Sequence, residues 1–297
     1  MQNINLKFTL LFINEKIIVI LHIIFMKIRL YISFVLLLTV LSCGEYEKLL
    51  KSTDYDLKKE RAKEYYANGE YVKATELFSQ ILPRYRATEE GEELNMMNAR
   101  SYFSMKDYYS AGGYFSNFTE LYPYSKFAEE AAYMTAYCEY MISPRPALDQ
   151  ESTKKALEGF HIFLMRYPSS DRVEEARKMI VELEERLVEK SYLSARLYYD
   201  MKAYKAAVTA LTSSLKSYAD SKYREEMMFL KLNSMFMYAE NSQFAKQRER
   251  YQLTLDDYYS FMEEFPESKY AKEVRKIYED TARFLKIDIT ETTANTQ

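Results

Sequence analysis

Apolar residues return along this chain at intervals of three, four and seven, the spacing that places side chains on one face of a helix. Tyr108, Ala111, Phe115, Phe118 and Tyr122 form one row, and Thr153, Ala156, Phe160, Phe163 and Tyr167 repeat it. Tyr204, Ala207, Leu211 and Tyr218 give another; Tyr71, Ala74, Phe78, Ile81 and Tyr85 open the series, and Tyr251, Thr254, Tyr258, Phe261 and Phe265 close it. A partner helix is expected just upstream, where Ala62 and Tyr65, Ala99 and Tyr102, and Ala195 and Tyr198 keep the same offsets from Ala74, Ala111 and Ala207. Alanine against alanine lets two helices pack closely. Between the helices the pattern predicts tight turns at Asn68-Gly-Glu-Tyr71, Lys106-Asp-Tyr108 and Lys202-Ala-Tyr204.

One phrase separates the pairs: Tyr122-Pro-Tyr-Ser-Lys-Phe127, Tyr167-Pro-Ser-Ser-Asp-Arg172, Tyr218-Ala-Asp-Ser-Lys-Tyr223 and Phe265-Pro-Glu-Ser-Lys-Tyr270. Proline ends the preceding helix, and the serine is expected to accept from the first free amides of the next. Glu129, Glu130, Glu174, Glu175, Glu225 and Glu226 follow at the start of those helices, where the dipole favours acids. The phrases stand 45, 51 and 47 residues apart, so some repeats must carry extra residues. Ser143-Pro-Arg-Pro-Ala-Leu-Asp-Gln-Glu151 reads as an insertion between the helices of the third pair; Val173 to Lys190 reads as a long charged helix opening the fourth, and Gln243 to Arg250 extends the fifth.

Helix pairs of this length with these Ala, Tyr, aromatic and Pro positions resemble tetratricopeptide repeats. The fold expected is all-α, a superhelical solenoid of about five such pairs over residues 54–285, followed by a polar tail, 286–297. Such a solenoid stacks each pair on its neighbours and leaves a concave surface suited to a peptide or a helix. In the folds it resembles, positions one and four after the shared alanine of the first helix tend to face that groove. Here they hold Lys63 and Tyr66, Arg100 and Phe103, and Arg196 and Tyr199, with Tyr137 and Tyr140 in the third pair. Cations interleaved with aromatics would suit an extended chain ending in an aromatic residue and a carboxylate. The competing reading is that the aromatics pack between helices and the basic residues pair with nearby glutamates.

The amino-terminal part follows another logic. Lys27 and Arg29 make a positive region, Leu30 to Val40 an apolar run too short for a stop-transfer helix, and small Ser42 stands before Cys43. Val40-Leu41-Ser42-Cys43 resembles the bacterial lipoprotein box, which implies cleavage before Cys43, a diacylglycerol thioether on its sulfur and acylation of the new amino terminus. Residues 1–42 are then a leader and 43–53 a lipidated tether, the anchor drawing about 0.8 kcal/mol from each buried CH₂. The additional apolar run Ile17 to Phe25 leaves two starts open: Met26, or Met1 with a long leader.

Composition agrees with helices and narrows the chemistry. The chain holds six Gly, six Pro and no Trp, which leaves little material for glycine-turned β structure or a phosphate-cradling loop. With 41 Lys and Arg against 44 Asp and Glu, no positive excess exists to follow a nucleic-acid backbone. Cys138 is the one cysteine after Cys43, cannot form an internal disulfide, and sits in an apolar helix as a packing residue. His161 has no second histidine on its helix and no acid at i+3 or i+4 to share a metal with. Gly112 and Gly113 are expected to relieve crowding; Glu182, Glu184 and Glu185 lie in a charged helix, where carboxylates at helical spacing do not make a glycosidase pair, and Lys246 to Arg250 is expected to be a solvated helix face. No catalytic residues, no metal ligands and no cofactor beyond the lipid on Cys43 are expected, and the chain is read as a non-enzyme.

Together with the box and the repeats, the opening Ser42-Cys-Gly-Glu-Tyr-Glu-Lys-Leu-Leu-Lys-Ser-Thr-Asp54, the stretch Ala128 to Cys138, Ile142 to Gln150 and Phe265 to Tyr270 resemble the BamD family of outer membrane assembly lipoproteins as found in Bacteroidetes-like bacteria. That resemblance implies an outer membrane, lipid-anchored, periplasm-facing scaffold of the β-barrel assembly machinery. Its implied partners are a BamA-type barrel insertase, bound mainly through the carboxy-terminal repeats, and unfolded outer membrane proteins, received by the amino-terminal ones. Two other classes stay open: a SusD-like ligand-binding lipoprotein, against which the absence of Trp counts, and a helical-repeat adaptor for cell-wall or division enzymes.

Overall fold

The computed structural model describes residues 26–30, 44–86 and 88–287; every regular element among them is helical. After a helical stretch at 26–30, α1 covers 44–51. Eleven helices follow: α2 (Tyr55–Ala67), α3 (Tyr71–Tyr85), α4 (Glu89–Ser104), α5 (Tyr108–Leu121), α6 (Ala128–Ile142), α7 (Glu151–Arg166), α8 (Val173–Asp200), α9 (Tyr204–Ser217), α10 (Arg224–Glu240), α11 (Phe244–Glu264) and α12 (Ala271–Leu285). The chain divides between Met105 and Lys106 into two compact units, and within each, from α2 to α4 and from α5 to α12, consecutive helices pack on one another.

In the first unit Ala62 of α2 meets Ala74, Leu77, Phe78 and Ile81 of α3 and Leu94 of α4 in one core. The segment expected to be a tether contributes to it: Leu49 of α1 is buried there, with Tyr46 and Leu50 packed alongside. Lys58 fixes that arrangement from below. Its Nζ, on a side chain only 4% exposed, donates to the Leu50 carbonyl at 3.0 Å and to Gln80 Oε1 at 2.6 Å, satisfying one of the carbonyls that the end of α1 leaves open. Asp54 and Thr88 cap α2 and α4 by accepting from Leu57 N–H and Gly91 N–H.

From α6 onward, the described residues of the second unit form three successive cores. Tyr133 and Ala136 of α6, Ala156, Phe160 and Phe163 of α7, and Ala176, Ile180 and Leu183 of α8 make the first. Tyr192 and Ala195 of α8 join α9 and α10 in the second, and Leu232 and Phe236 of α10 join α11 and α12 in the third. Each core is closed by the opening helix of the next pair, the nearest-neighbour stacking of a solenoid. α8 belongs to two of them because it is one continuous helix of 28 residues, about 42 Å long. The charged stretch ending at Lys190 is its first 18 residues.

That length has a use. The 143–150 loop is held from inside by Gln150, whose Nε2 donates to the carbonyls of Arg145 and Leu148 at 3.0 and 3.1 Å. From outside, Arg186 of α8 donates to Ser143 Oγ at 2.9 Å and Lys190 to the Ala147 carbonyl at 3.0 Å. The insertion in the third pair and the extension opening the fourth thus form one device, which the linear pattern presents as two.

The separating phrases cap differently from the expectation. Ser125, Ser170, Ser221 and Ser268 accept through Oγ from the amides of Phe127, Arg172, Tyr223 and Tyr270, each the residue before its helix. The first helical amide goes instead to the serine's own carbonyl, as Ala128 N–H to Ser125 O at 2.9 Å shows. With its side chain freed from capping, that preceding residue lies over an aromatic of the pair behind: Arg172 over Tyr133 at 4.7 Å, Tyr223 on Tyr192 at 4.3 Å and Tyr270 on Phe229 at 4.2 Å. In the turns within pairs, Gly69, Lys106 and Lys202 occupy one left-handed position, with φ of 77°, 62° and 59°.

Candidate functional site

The groove residues all stand on opening helices, four in each unit, and all but exposed Arg196 are half-buried. Ala62, Ala136 and Ala195 are buried in cores shared with the second helices α3, α7 and α9, and Ala99 of α4 is also fully buried. The residues one and four positions after Ala62, Ala136 and Ala195 therefore turn toward the next opening helix of their own unit.

In the first unit Lys63 Nζ lies 3.1 Å from Glu93 Oε2 and 3.7 Å from Glu90 Oε1, both on α4. Lys59, one turn earlier, shares Glu90 at 3.1 Å and stands 5.0 Å above the Tyr85 ring. Tyr66 packs edge-on against Tyr71, centroids 6.0 Å apart. Arg100 and Phe103 sit one turn apart on α4, and each is engaged with its surroundings.

The second unit repeats the arrangement with other residues. Arg196 donates to Tyr192 Oη at 2.7 Å and pairs with Glu226 of α10 at 3.3 Å and with Asp200 at 3.7 Å. Burial and the Glu226 hydrogen bond together push the Tyr192 phenol up to about 12, with Arg196 opposing. Tyr199 accepts from Asn233 Nδ2 at 3.2 Å, and burial raises its phenol. Lys63 and Arg196 each find a glutamate exactly one opening helix on, thirty residues away in both cases.

Tyr137 and Tyr140, which interrupt the row of cations, complete a stack. Tyr133, Tyr137 and Tyr140 lie nearly parallel, with centroids 5.8 and 6.0 Å apart and interplanar angles of 15° and 19°. Arg172 covers one end at 4.7 Å and Arg186 the other at 5.1 Å. The cation that α6 lacks arrives from α8. Tyr140 Oη donates to Glu182 Oε2 at 2.7 Å, and that bond, then Arg186, holds the Glu182 carboxyl below its ordinary range.

Glu93, Glu226, Glu182, Arg172 and Arg186 were not singled out as groove residues in the sequence. For Arg186 a signal existed: it stands four residues after Glu182, the spacing of a helical ion pair, and the two meet at 2.5 Å. Chemically, Lys63, Arg196 and Arg186 each already hold a carboxylate. A peptide carboxylate entering there would exchange with Glu93 or Glu226 rather than fill an open charge.

The other candidates are accounted for locally. Cys138 is buried, and burial raises its thiol to about 12, leaving no thiolate at neutral pH. A side chain at Gly112 would stand 3.2 Å from Cys138 Cβ, so that glycine lets α5 approach α6. His161 is exposed, and Lys246 pairs with Glu249 at 4.0 Å on an exposed face. Among the described residues, no three His, Cys, Asp or Glu gather as a metal site would require, and no helix is long and apolar enough to cross a membrane. Val40, Leu41, Ser42 and Cys43 lie outside the described residues.

A family model described as YfiO, outer membrane lipoprotein, matches residues 58–247. No curated protein matches the chain. Among solved structures, it is similar to the TPR2AB domain of yeast Sti1 in its complex with pHSP90, at 14% identity over 77% of this chain and 98% of that one, TM-score 0.33. It is also similar to the TPR domain of P58(IPK), at 14% identity over 81% of this chain and 68% of that one, TM-score 0.38.

Proposed function

This chain belongs to the YfiO, or BamD, family of outer membrane lipoproteins, and on that premise we propose that it is a non-enzymatic scaffold of the β-barrel assembly machinery. A lipid on Cys43 holds it at the membrane, facing the periplasm. It binds a BamA-type insertase and receives unfolded outer membrane proteins on its opening-helix face. The observation that carries this reading is where the family match lies: 58–247 runs through the helix pairs, from α2 to the start of α11, so the likeness belongs to the repeat body and not to the leader alone.

Affinity purification of the Cys43-anchored protein from gently solubilised outer membranes, with mass spectrometry of what accompanies it, tests the role. Recovery of a barrel insertase with periplasmic repeat domains is the expected result. Recovery of a sugar transporter, or of cell-wall enzymes and no insertase, would overturn it. The peptide face has its own test: Arg100→Glu is expected to weaken binding of a barrel carboxy-terminal peptide at least tenfold, and unchanged binding would remove the face while leaving the scaffold role standing.

A further inference from the structure

Between α9, α10 and α11 lies a cavity of about 240 Å³, smaller than most drug-sized sites and roomy enough for one small polar group. Lys216 of α9 and Arg224 and Lys231 of α10 bring three cations to its lining. Arg224 is held by both oxygens of Glu264 of α11, and Lys231 donates to Asp257 Oδ1 of α11 at 2.6 Å. Lys216 makes no ion pair among the described residues. Asp257 is poorly served by comparison: its Oδ2 is buried with no hydrogen-bond partner, and burial pushes the carboxyl up against the pull of Lys231. A carboxylate out of water with half its acceptors empty is costly, so if Lys231 turns to another anion this carboxyl takes up a proton rather than stay charged and unpaired.

Charge and shape narrow the occupant. With Glu264 counted, three cations face two carboxylates, so the cavity carries one positive charge in excess before an anion enters. Thr212 and Ser260 also line it, but each donates to its own helix, to Val208 O at 2.7 Å and Asp256 O at 2.9 Å, and offers only lone pairs. The anion must therefore rest on the ammonium groups. Leu215 of α9 and Met228 of α10 give apolar lining on two helices, which suits an anion bearing carbon on both sides. A carboxylate and a phosphate monoester each bear carbon on one side only, whereas a phosphate diester bears it on both.

We propose that this cavity binds a phosphodiester group, with its two charged oxygens on Lys216 and Lys231 and its flanking carbons against Leu215 and Met228. The ligand is either a soluble glycerophosphodiester or the headgroup of a phospholipid, and the site is independent of the insertase reading. Binding draws Lys231 away from Asp257. The charged groups acting on that carboxyl are Lys231 from α10 and Asp256 from its own helix, with Lys216 of α9 and Arg224 and Glu264 across the cavity; none of α12 acts on it. Without Lys231 the buried carboxylate takes up a proton, so the bound state holds more protons than the free state and affinity rises as pH falls. The diester keeps one charge throughout, so the slope belongs to the protein.

The test titrates the full chain with glycerophosphoglycerol, followed by calorimetry and by the ³¹P line width, from pH 8 to pH 6. Saturable binding that tightens toward pH 6, by up to tenfold per pH unit, is expected. Lys216→Met, which breaks no ion pair, and Lys231→Met should each weaken it at least tenfold, whereas Asp257→Asn should bind no more weakly than the parent at pH 8 and lose the pH slope. Release of the bound diester by phosphatidylglycerol vesicles, but not by phosphate-free detergent micelles, assigns the site to lipid headgroups; retention assigns it to a soluble ligand. Absence of saturable binding, equal binding of acetate, or an unchanged affinity in Lys216→Met would overturn the proposal.

Discussion

The α6–α7 and α8–α9 pairs share one template and are filled by different means. At the position where α7 carries Phe163, fully buried and edge-on to Tyr133 at 5.4 Å, α9 carries Ser214. That serine is also buried and meets Ser191 of α8, hydroxyl to hydroxyl at 2.6 Å. Where α9 carries Ala210, α7 carries Gly159, and a methyl group built there would stand 2.9 Å from Ala136 Cβ and 3.2 Å from its Cα. One pair seats a ring and draws its helices together at a glycine; the other gives up the ring, closes the space with a hydrogen bond and keeps a methyl group. A close-packed interior accepts either solution but not a mixture of the two.

The largest effect expected from disturbing that comparison is at Gly159. Its neighbour is the backbone-bound methyl of Ala136, which cannot swing aside, so Gly159→Ala should cost about 1–3 kcal/mol and Gly159→Val more. Gly113 is the control: nothing lies within 4 Å of a side chain there, so Gly113→Ala should be neutral or stabilise by up to about 1 kcal/mol. Urea midpoints of the two variants, with native-state hydrogen exchange of α6 and α7, measure the difference. Equal costs at the two glycines would show that the α6–α7 approach is not limited by contact.

A smaller effect is expected in the other pair. Ser214→Ala leaves Ser191 Oγ without its partner in a half-buried place and should cost about 1–2 kcal/mol. Adding Ser191→Ala removes the stranded hydroxyl, so the double variant should be more stable than the sum of the singles by about 0.5–1 kcal/mol. Strict additivity in the cycle would mean that the two hydroxyls do not act together.

Much of this was legible in the linear pattern because it is local. The rows built on Ala74, Phe78, Ala111, Phe115, Ala156 and Phe160 fix a helix face by spacing alone, and those side chains are all fully buried. What the pattern could not supply depends on how one helix lies over another. The serine of the separating phrase looks like a helix cap, yet the first helical amide is taken by its carbonyl, which no side-chain rule registers. That Lys63 and Arg196 pair with glutamates is one of two readings of the sequence, but which glutamates is not legible there, because Glu93 and Glu226 are thirty residues off and arrive beside them only once the opening helices align. Gly159 gave no signal, since it lies between two positions of the apolar row and its role is set by Ala136 on another helix.

The smallest expected effect concerns how each pair is joined. The α8–α9 connection is a tight turn with Lys202 at φ 59°, whereas α6 and α7 are joined by the 143–150 loop, with no left-handed residue among those the structure describes. A lysine in that conformation costs about 1–2 kcal/mol relative to its right-handed form, while glycine pays about 0.5–1 kcal/mol in extra unfolded-state freedom. Lys202→Gly should therefore stabilise the turn by about 0.5–1 kcal/mol, and hydrogen exchange should slow in α8 and α9 without changing in α6 and α7. The converse change at the equivalent position of the first unit, Gly69→Ala at φ 77°, should destabilise by about 1 kcal/mol, since the site is open and only the backbone resists. If Lys202→Gly were neutral while Gly69→Ala was costly, the Lys202 side chain would be contributing to the turn about as much as its backbone conformation takes away.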